Sequence, residues 1–587
     1  MLNYKLKSFL LPENSVNYVE DYLNLIGIKK AESFIGVPPK EDELSPWKLA
    51  NMEQAVEMLG KHLQKNNEIF LVVDSDPDGY TSGSIIYNFI KDIFPKSKLQ
   101  YCLHPEKEHG VVLADVPIET DLIIIPDAGS NQWDDIEELV KRGKDIIILD
   151  HHIVDGLALD SEHVALVNST EKNFANPSLS GAGVAFKFIQ AYDEKYDCGG
   201  ISSNYYDLAA LGIISDMMYT GNLDNNYIIY QGLHNIKNQF FKALLNKQSF
   251  SISNVETPTK IDIAFYITPV INGVIRVGSM EDKMFIFEAL TTKNSTEVFP
   301  HTCRGVTKEE SLYESAARLA VNLKSRQDTL VNRIVENIYA KLDKQDINEY
   351  PIIIYKTSAK NENEVPKTLT GLIATKIVAK YNKPVLVLRP KLINGIQYYL
   401  GSGRGKNAEG FTSFKKLLND SGLVEYASGH DSAFGSSVKE SNIIPLLEYS
   451  KEQLKDIDFN VEAAVEVDQI FTNQTINKTM LQAFADCNFI YGNGIPQPCY
   501  AFELVVSRDS FKIMGARKDT MKLSFDGIDF IKFKAAKEIK QLENTTTNYV
   551  KVSLIGTSQI NEYIGYRKVQ VKINEMEILN MQPMRLI

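Results

Sequence analysis

At 587 residues the chain is too long for one compact core and calls for roughly three to four domains. With 24% charged and 44% apolar residues it is neither disordered nor fibrous, and five scattered cysteines without a C-x-x-C pair argue against a disulfide framework and a structural zinc site. The net charge of −12 hides a basic tail, because residues 508–587 carry 14 Lys or Arg against 9 Asp or Glu, so a polyanionic partner stays in play.

The N-terminal stretch "MLNYKLKSFLLPENSVN" lacks a continuous apolar core ending in a small-residue cleavage site, and nowhere do eighteen apolar residues run together. A cytoplasmic protein without a membrane anchor is expected. Residues 1–66 read as a mostly helical N-terminal region with no assignable task. Beyond them, "EIFLVV" (68–73), "DLIIIP" (121–126) and "KDIIIL" (144–149) are short, β-branched, almost wholly apolar runs separated by helix-like stretches such as "TSGSIIYNFIKDIF". That alternation predicts a parallel sheet covered on both faces. A helical stretch is expected to follow to about residue 310. The segment "EESLYESAARLAVNLKSRQDTLVNRIVENIYAKL" (309–342), free of Pro and Gly with apolar residues at three and four residue intervals, predicts one long helix. The last region, from 459, is strand-rich, with alternating stretches such as "YVKVSLIG" (549–556).

Each of the three oily runs turns polar at its carboxyl end: Asp74, Asp76 and Asp78, then Asp127, then Asp150, His151 and His152. In open α/β sheets this is the edge where ligands bind. Asp216 ends the amphipathic helix "YDLAALGIISD" (206–216), which would dock it on the same sheet. Singly, "SDPDG" is a turn sequence and Asp-His-His a solvated loop. Brought together, the acids would repel one another unless cations neutralised them, and histidine beside carboxylates is the donor mixture of a transition-metal site. A two-cation centre is the economical explanation. Such a centre generates hydroxide at neutral pH and steadies both oxygens of an in-line attack on phosphorus.

The motifs "DSDPDG" (74–79), "DAG" (127–129), "DHH" (150–152) and "SD" (215–216) resemble, in order and spacing, the four motifs of DHH phosphoesterases. Further segments resemble the RecJ-like branch: "LSGAGVAFKF" (179–188), "ITPVINGVIRVG" (267–278), "LTGLIATKIVAKYNKPVLVL" (369–388), "GSGRG" (401–405), "ASGHDSAFG" (427–435) and "YGNGIPQPCYAFE" (491–503). The resemblance implies an α/β fold: a parallel-sheet DHH domain with a helical extension (67–308), a connecting helix (309–345), a smaller α/β DHH-associated domain (346–458) and a β-rich, OB-like nucleic-acid-binding domain (459–587).

It also implies roles. Asp76 and Asp78 would serve different metals, Asp127 would bridge them, His151 and Asp216 would complete the second metal's shell, and Asp74 would help hold the first. His151, His152, Asp127 and Asp150 form the implied catalytic set, with Asp150 orienting an imidazole from behind and His152 facing the scissile phosphate. Ser402 and Arg404 match positions that hold the substrate's 5′ end. Gly429 and His430 bring flexible backbone and positive charge to a phosphate, and Arg276 resembles a cleft arginine. Lys107 stands in for another family arginine and loses its bidentate geometry. Three further positions depart from the pattern: Val72 where many members have histidine, Val270 where arginine is common, and Ser428 where glycine is usual. Gly181 and Gly183 suit close packing at a helix start. His163 and His234, with no nearby acid pattern, read as surface or packing residues. In the basic tail, Arg517 and Lys518, with Lys512 and Lys522 among aromatic residues, are the combination with which OB folds follow a phosphate backbone.

The expected activity is metal-dependent hydrolysis of single-stranded DNA from the 5′ end to 5′-mononucleotides, in DNA recombination, repair or replication, with Mn2+ or Mg2+ as the two divalent cations. Single-stranded DNA is the expected partner of a monomer, with a single-strand-binding protein or helicase as a further one. Two alternatives stand beside it: a phosphodiesterase of short oligoribonucleotides or cyclic dinucleotides, and a non-catalytic replication scaffold. The basic, OB-like tail disfavours the first, and the intact acids disfavour the second.

Overall fold

A computed structural model of the chain describes residues 2–8, 15–106, 108–156, 159–171, 174–252, 254–358, 364–461, 464–563 and 566–580. The first 66 residues divide their packing between two distant parts of the protein. Strand β1 (Tyr4–Leu6) pairs in parallel with residues Val465–Val467. Helices Tyr18–Leu25 and Glu32–Ile35 place Tyr22, Leu23 and Phe34 in one hydrophobic cluster with Phe484, Ile490 and Phe502 near the other end of the chain. Helix Met52–Gln64 instead sets Val56, Leu59 and Leu63 into the core of the first sheet.

That sheet comprises β2 (Glu68–Val73), β3 (Lys98–Leu103), β4 (Leu122–Pro126), β5 (Asp145–Asp150) and β6 (Val164–Asn168), all parallel, in the order β3-β2-β4-β5-β6. Alternate residues face opposite sides. Leu71, Val73, Ile124, Ile147 and Leu149 pack under helices Pro77–Ile93, Gly181–Tyr196 and Tyr206–Ser215. Phe70, Val72, Ile123, Ile125, Ile146 and Ile148 pack against helix Trp133–Lys141. Both faces are covered, which is why the central runs are oily without alternation. The chain reverses its direction of travel across the sheet between β2 and β4, and at such a switch point the loops leave opposite faces and open a crevice.

The helical stretch expected to about 310 ends earlier. Residues Val298–Cys303 (β7) and Val306–Ser311 (β8) form an antiparallel hairpin. Its two-residue turn holds Arg304 at φ 49° and Gly305 at φ 79°, the paired left-handed conformation that suits a hairpin's twist. The long helix therefore spans Leu312–Leu342, not 309–342. Ser311 caps it, accepting from Glu314 N at 3.3 Å while the Glu314 carboxylate accepts from Ser311 N at 2.9 Å. This helix joins two cores: Ala316, Ala320 and Leu323 belong to the first, Val331, Ile334 and Ile338 to the next.

The next unit is a mixed sheet, order β12-β13-β11-β10-β9, built from β9 (Ile353–Lys356), β10 (Val385–Ile393), β11 (Ile396–Arg404), β12 (Val424–His430) and β13 (Ala433–Lys439). Helix Thr370–Tyr381 covers one face; helices Phe414–Asp420 and Ile443–Gln453 cover the other. After β14 (Val465–Val467), the partner of β1, a seven-stranded sheet follows, made of β15 (Gln469–Thr472), β16 (Tyr500–Ser507), β17 (Phe511–Met514), β18 (Thr520–Phe525), β19 (Ile528–Lys532), β20 (Tyr549–Tyr563) and β21 (Tyr566–Asn580). The α/β architecture with a β-rich C-terminal region is the expected one. Among the described residues, no helix is long and apolar enough to cross a membrane.

Candidate metal centre and substrate cleft

The carboxyl edge of the first sheet gathers the acids, and backbone donors fix most of them. Asp76 caps helix Pro77–Ile93, its Oδ1 accepting from Gly79 N at 2.9 Å. Asp78 reaches the start of helix Gly181–Tyr196, where its carboxylate accepts from Gly181 N at 2.6 Å, Ala182 N at 3.1 Å and Ser180 Oγ at 2.8 Å. Asp74 accepts from Gly110 N at 2.9 Å and from His109 Nδ1 at 2.8 Å. Asp150 accepts from His151 N at 2.7 Å, Ser130 N at 3.1 Å and His152 Nδ1 at 2.8 Å.

Asp127 differs from the rest. It is buried, takes the left-handed φ of 65°, and among the described residues its Oδ1 has no hydrogen-bond partner. Gly181 is what lets it sit there, since a Cβ at that position would lie 2.4 Å from the Asp127 side chain. His151 Nε2 stands 3.2 Å from Asp127 Oδ1 and 3.5 Å from Asp216 Oδ2.

Three groups bring one ligand atom per residue within 4.8 Å of the others: Asp74–Asp76–Asp127, Asp78–His151–Asp216 and Asp127–Asp150–His151–His152. The first two are the donor sets, because in the third Asp150 and His152 are bonded to each other. Their charges are unbalanced. Burial, with the neighbouring charges of Asp78, Asp76, Asp74 and Asp216, pushes the Asp127 carboxyl well up. Burial and the charges of Asp74 and Asp78 raise Asp76. Burial, with Asp78 and Asp76, pushes Asp216 up to about 8. Among the described residues no Lys or Arg forms an ion pair with any of these five acids. Burial also lowers His151, which keeps its imidazole neutral and able to donate a lone pair. An orphaned buried carboxylate oxygen, unneutralised acids and a neutral imidazole together fit a pair of divalent cations of the Mn2+ or Mg2+ kind.

Asp150 and His152 form a separate couple. Burial would raise Asp150, but the His152 hydrogen bond and the His152 and His151 charges hold it well below the usual carboxylate range. The same hydrogen bond pushes the exposed His152 up to about 9.

The mixed sheet forms the opposite wall. In its register Arg404 pairs with Ala433 and Ala433 with His430, while Ser402 pairs with Gly435 and Gly435 with Ser428. Polar side chains on one face are thus spaced by residues too small to obstruct a ligand. Ser402 Oγ lies 2.8 Å from Thr370 Oγ1, and Arg404 Nη1 donates to Gly403 O at 2.8 Å. A cleft of about 950 Å³ is lined by Ser402, Arg404, Ser428 and Gly429 from this wall and by Glu106 and His109 from the first sheet's side.

The expected site residues fall into groups. Asp74, Asp76, Asp78, Asp127, His151 and Asp216 converge, with Asp150 and His152 beside them. Ser402, Arg404 and Gly429 meet at the cleft. Arg276, whose carbonyl accepts from Thr368 Oγ1 at 2.8 Å, is lowered by burial and by Arg404's like charge, and Asp76 pulls it the other way. His430 is exposed on the outer strand and does not line the cleft. Arg517 and Lys518 are exposed between β17 and β18, whereas Lys522 is held by Asp529 at 2.9 Å. Lys107 lies outside the described residues. Val72 and Val270 are buried in the cores, off the cleft. His163 is not the acid-free residue its surroundings in sequence suggest: its Nδ1 lies 2.7 Å from Asp145 Oδ1, on the same carboxylate as His62. The residue missed altogether is His109. The string "HPEKEHG" contains it, but β3 reads as "KLQYCL", too polar an edge strand to show that its following loop returns to the acids.

The DHH family N-terminal domain matches residues 68–213, and the RecJ OB domain matches residues 467–575. A prophage protein of Bacillus subtilis, carrying the name of an SPbeta single-strand DNA-specific exonuclease, YorK, is 33% identical over 586 residues, covering 98% of this chain and 99% of its own. The chain belongs to the RecJ-like branch of the DHH phosphoesterase family. The fold agrees. The crystal structure of RecJ with Mn2+ from Thermus thermophilus superposes with a TM-score of 0.71 at 18% identity, covering 96% of this chain and 76% of that one. The structure of the same protein with Mg2+ gives 0.66, also at 18%, over 97% and 75%. In this RecJ-like chain the acidic cluster lies at the switch point of the DHH sheet and could hold such ions.

Proposed function

We propose that this RecJ-like protein hydrolyses single-stranded DNA from the 5′ end, releasing 5′-mononucleotides. One observation carries the reading: two carboxylate-rich donor sets meet at Asp127 and His151, and His109, bonded to Asp74, lines a cleft whose other wall bears Ser402 and Arg404.

Asp74, Asp76 and Asp127 would hold one cation, and Asp78, His151 and Asp216, with Asp127, the other. When bound, the pair supplies an activated water and charge stabilisation at phosphorus. The chain's own residues do the remainder. Asp150 fixes His152 through Nδ1, so that the other ring nitrogen presents a proton to a phosphate oxygen. Arg404 and Ser402 hold the terminal phosphate, with Thr370 fixing the serine hydroxyl. Arg276 adds positive charge between that anchor and the metal edge. A strand anchored by its end presents one phosphodiester at a time, which is exonuclease behaviour. The basic tail, through Arg517 and Lys518, follows the backbone behind the cut.

The test incubates the purified protein with Mn2+ and 5′-labelled or 3′-labelled single strands of DNA and RNA, beside duplex and cyclic dinucleotides. Labelled mononucleotide released first from 5′-labelled single-stranded DNA is expected. Dinucleotide turnover without DNA loss would overturn the reading in favour of a small-substrate phosphodiesterase.

A further inference from the structure

A second cavity, of about 240 Å³, opens beside the metal edge, between the DHH helices and the start of the C-terminal sheet region. It is smaller than pockets for drug-sized ligands, which run from about 300 to 1,000 Å³, so its occupant is a single ring system or an equally small group. Its walls are apolar and polarisable: Met217, Met218, Ala264, Phe265 and Tyr491. Met217 and Met218 directly follow Asp216, so the cavity and the second donor set share one chain segment. Its rim keeps large apolar groups in solvent, with Met217 at 57% and Phe265 at 68% exposure.

Lys260 points to the kind of ligand. It is 3% exposed, it lines the cavity, and among the described residues its amine has no hydrogen-bond or ion-pair partner. Its stem lies against Gly492, where a Cβ would come within 3.3 Å of it. The other polar side chains of the wall already donate elsewhere: Thr220 Oγ1 to Asn493 O at 2.9 Å, Asn493 Nδ2 to Met217 O, Gln497 Nε2 to Ser558 O at 2.6 Å and Tyr491 OH to Phe484 O at 2.9 Å. A phosphate needs several donors in so apolar a place. A flat, uncharged ring with one or two acceptor atoms needs only one.

We propose that this cavity is a nucleobase subsite, taking one base of the single strand with its ring against Met217, Met218 and Phe265 and a carbonyl or ring-nitrogen acceptor on the Lys260 amine. The inference rests on single-stranded DNA being the substrate. Burial lowers the Lys260 amine to about 7, and a neutral amine remains a hydrogen-bond donor. Methionine and aromatic walls contact any base, so the subsite favours a base over an abasic sugar and discriminates weakly among the four bases.

The test measures equilibrium binding of fluorescent single strands to the full chain carrying Asp127→Asn, with one abasic spacer moved stepwise from the 5′ end. One spacer position is expected to weaken binding about tenfold. That dip should shrink to under about threefold in Lys260→Met, which keeps the buried shape, and in Phe265→Ala, which alters only an exposed side chain. A flat profile, or the same dip in both variants, would overturn the proposal. Hydrolysis of the unmodified strand by the wild-type protein, run in parallel, reports on the exonuclease reading alone. Hydrolysis with a flat profile removes the subsite; a dip without hydrolysis removes the exonuclease and keeps the subsite.

Discussion

The two walls of the cleft are built on different principles. On the metal edge, main-chain donors grip Asp74, Asp76, Asp78 and Asp150 at the ends of buried parallel strands or the starts of helices. On the facing wall, Ser402 and Arg404 rise from a half-exposed antiparallel strand and touch Thr370 Oγ1 and Gly403 O. Ligands fixed by the backbone cannot follow a moving substrate, whereas side chains on a strand surface can adjust to one. On the proposed function, chemistry falls to the rigid wall and recognition to the adaptable one.

Breaking the rigid wall should cost most. Asp76→Asn keeps a good helix cap but removes a charge from the first donor set. The rate of hydrolysis of labelled single-stranded DNA should fall roughly a thousandfold or more. A variant within tenfold of wild type would show that the sheet edge is not the seat of the chemistry. On the facing wall, Arg404→Ala should lower kcat/KM by about 10–100-fold while metal binding stays intact, with Arg404→Lys between the two because it lacks the planar fork. Equal losses in metal affinity and kcat/KM would erase the distinction between the walls.

A melting experiment sharpens the electrostatic half of the comparison. In the metal-free protein the Asp216 carboxyl, pushed up to about 8 by burial, by Asp78 and by Asp76, stays protonated where the unfolded chain has already ionised. The unfolded state then binds fewer protons, so each rise in pH between about 4 and about 8 favours unfolding. With chelator, the melting temperature should fall by several degrees across that window. Mn2+ should reverse the trend, and Asp216→Asn should lessen it without metal, the remainder coming from Asp127 and Asp76, which are also raised. A melting temperature insensitive to both pH and Mn2+ would contradict the account. The smallest effect is expected farthest from the edge. The double variant Arg517→Ala, Lys518→Ala should weaken single-strand binding only a few-fold at moderate salt and reduce the salt slope by roughly 1–2. An unchanged slope would take the basic tail out of the DNA path.

The sequence showed the metal edge more clearly than the wall for the same structural reason. A strand covered on both faces must be oily throughout, so an abrupt Asp127 or Asp150 at its end stands out. The edge strands did not stand out: β3, "KLQYCL", is partly solvated, and with it the return of His109 to Asp74 stayed hidden. The hairpin at 298–311 was hidden because "TKEES" carries a helix-like charge pattern, and its left-handed Arg304-Gly305 turn is not among the strong hairpin dipeptides. Antiparallel register is set by pairings across many residues, so Arg404 could be placed near a phosphate from "GSGRG", but its pairing with Ala433, and the position of His430 one strand further out, could not be read. The anchoring of Asp78 by Ser180, Gly181 and Ala182 joins residues about a hundred positions apart, and no local pattern reports it.

Among the acids of the two donor sets, Asp127 has a side-chain oxygen buried without a hydrogen bond from the described residues, so it is the group most in need of cations. The direct measurement is the Mn2+ stoichiometry of the full chain and of Asp127→Asn, read by equilibrium dialysis, with single-strand cleavage assayed on the same samples. About two ions per wild-type chain, fewer in the variant, and loss of cleavage are expected. Two ions still bound to the variant with cleavage undiminished would contradict it.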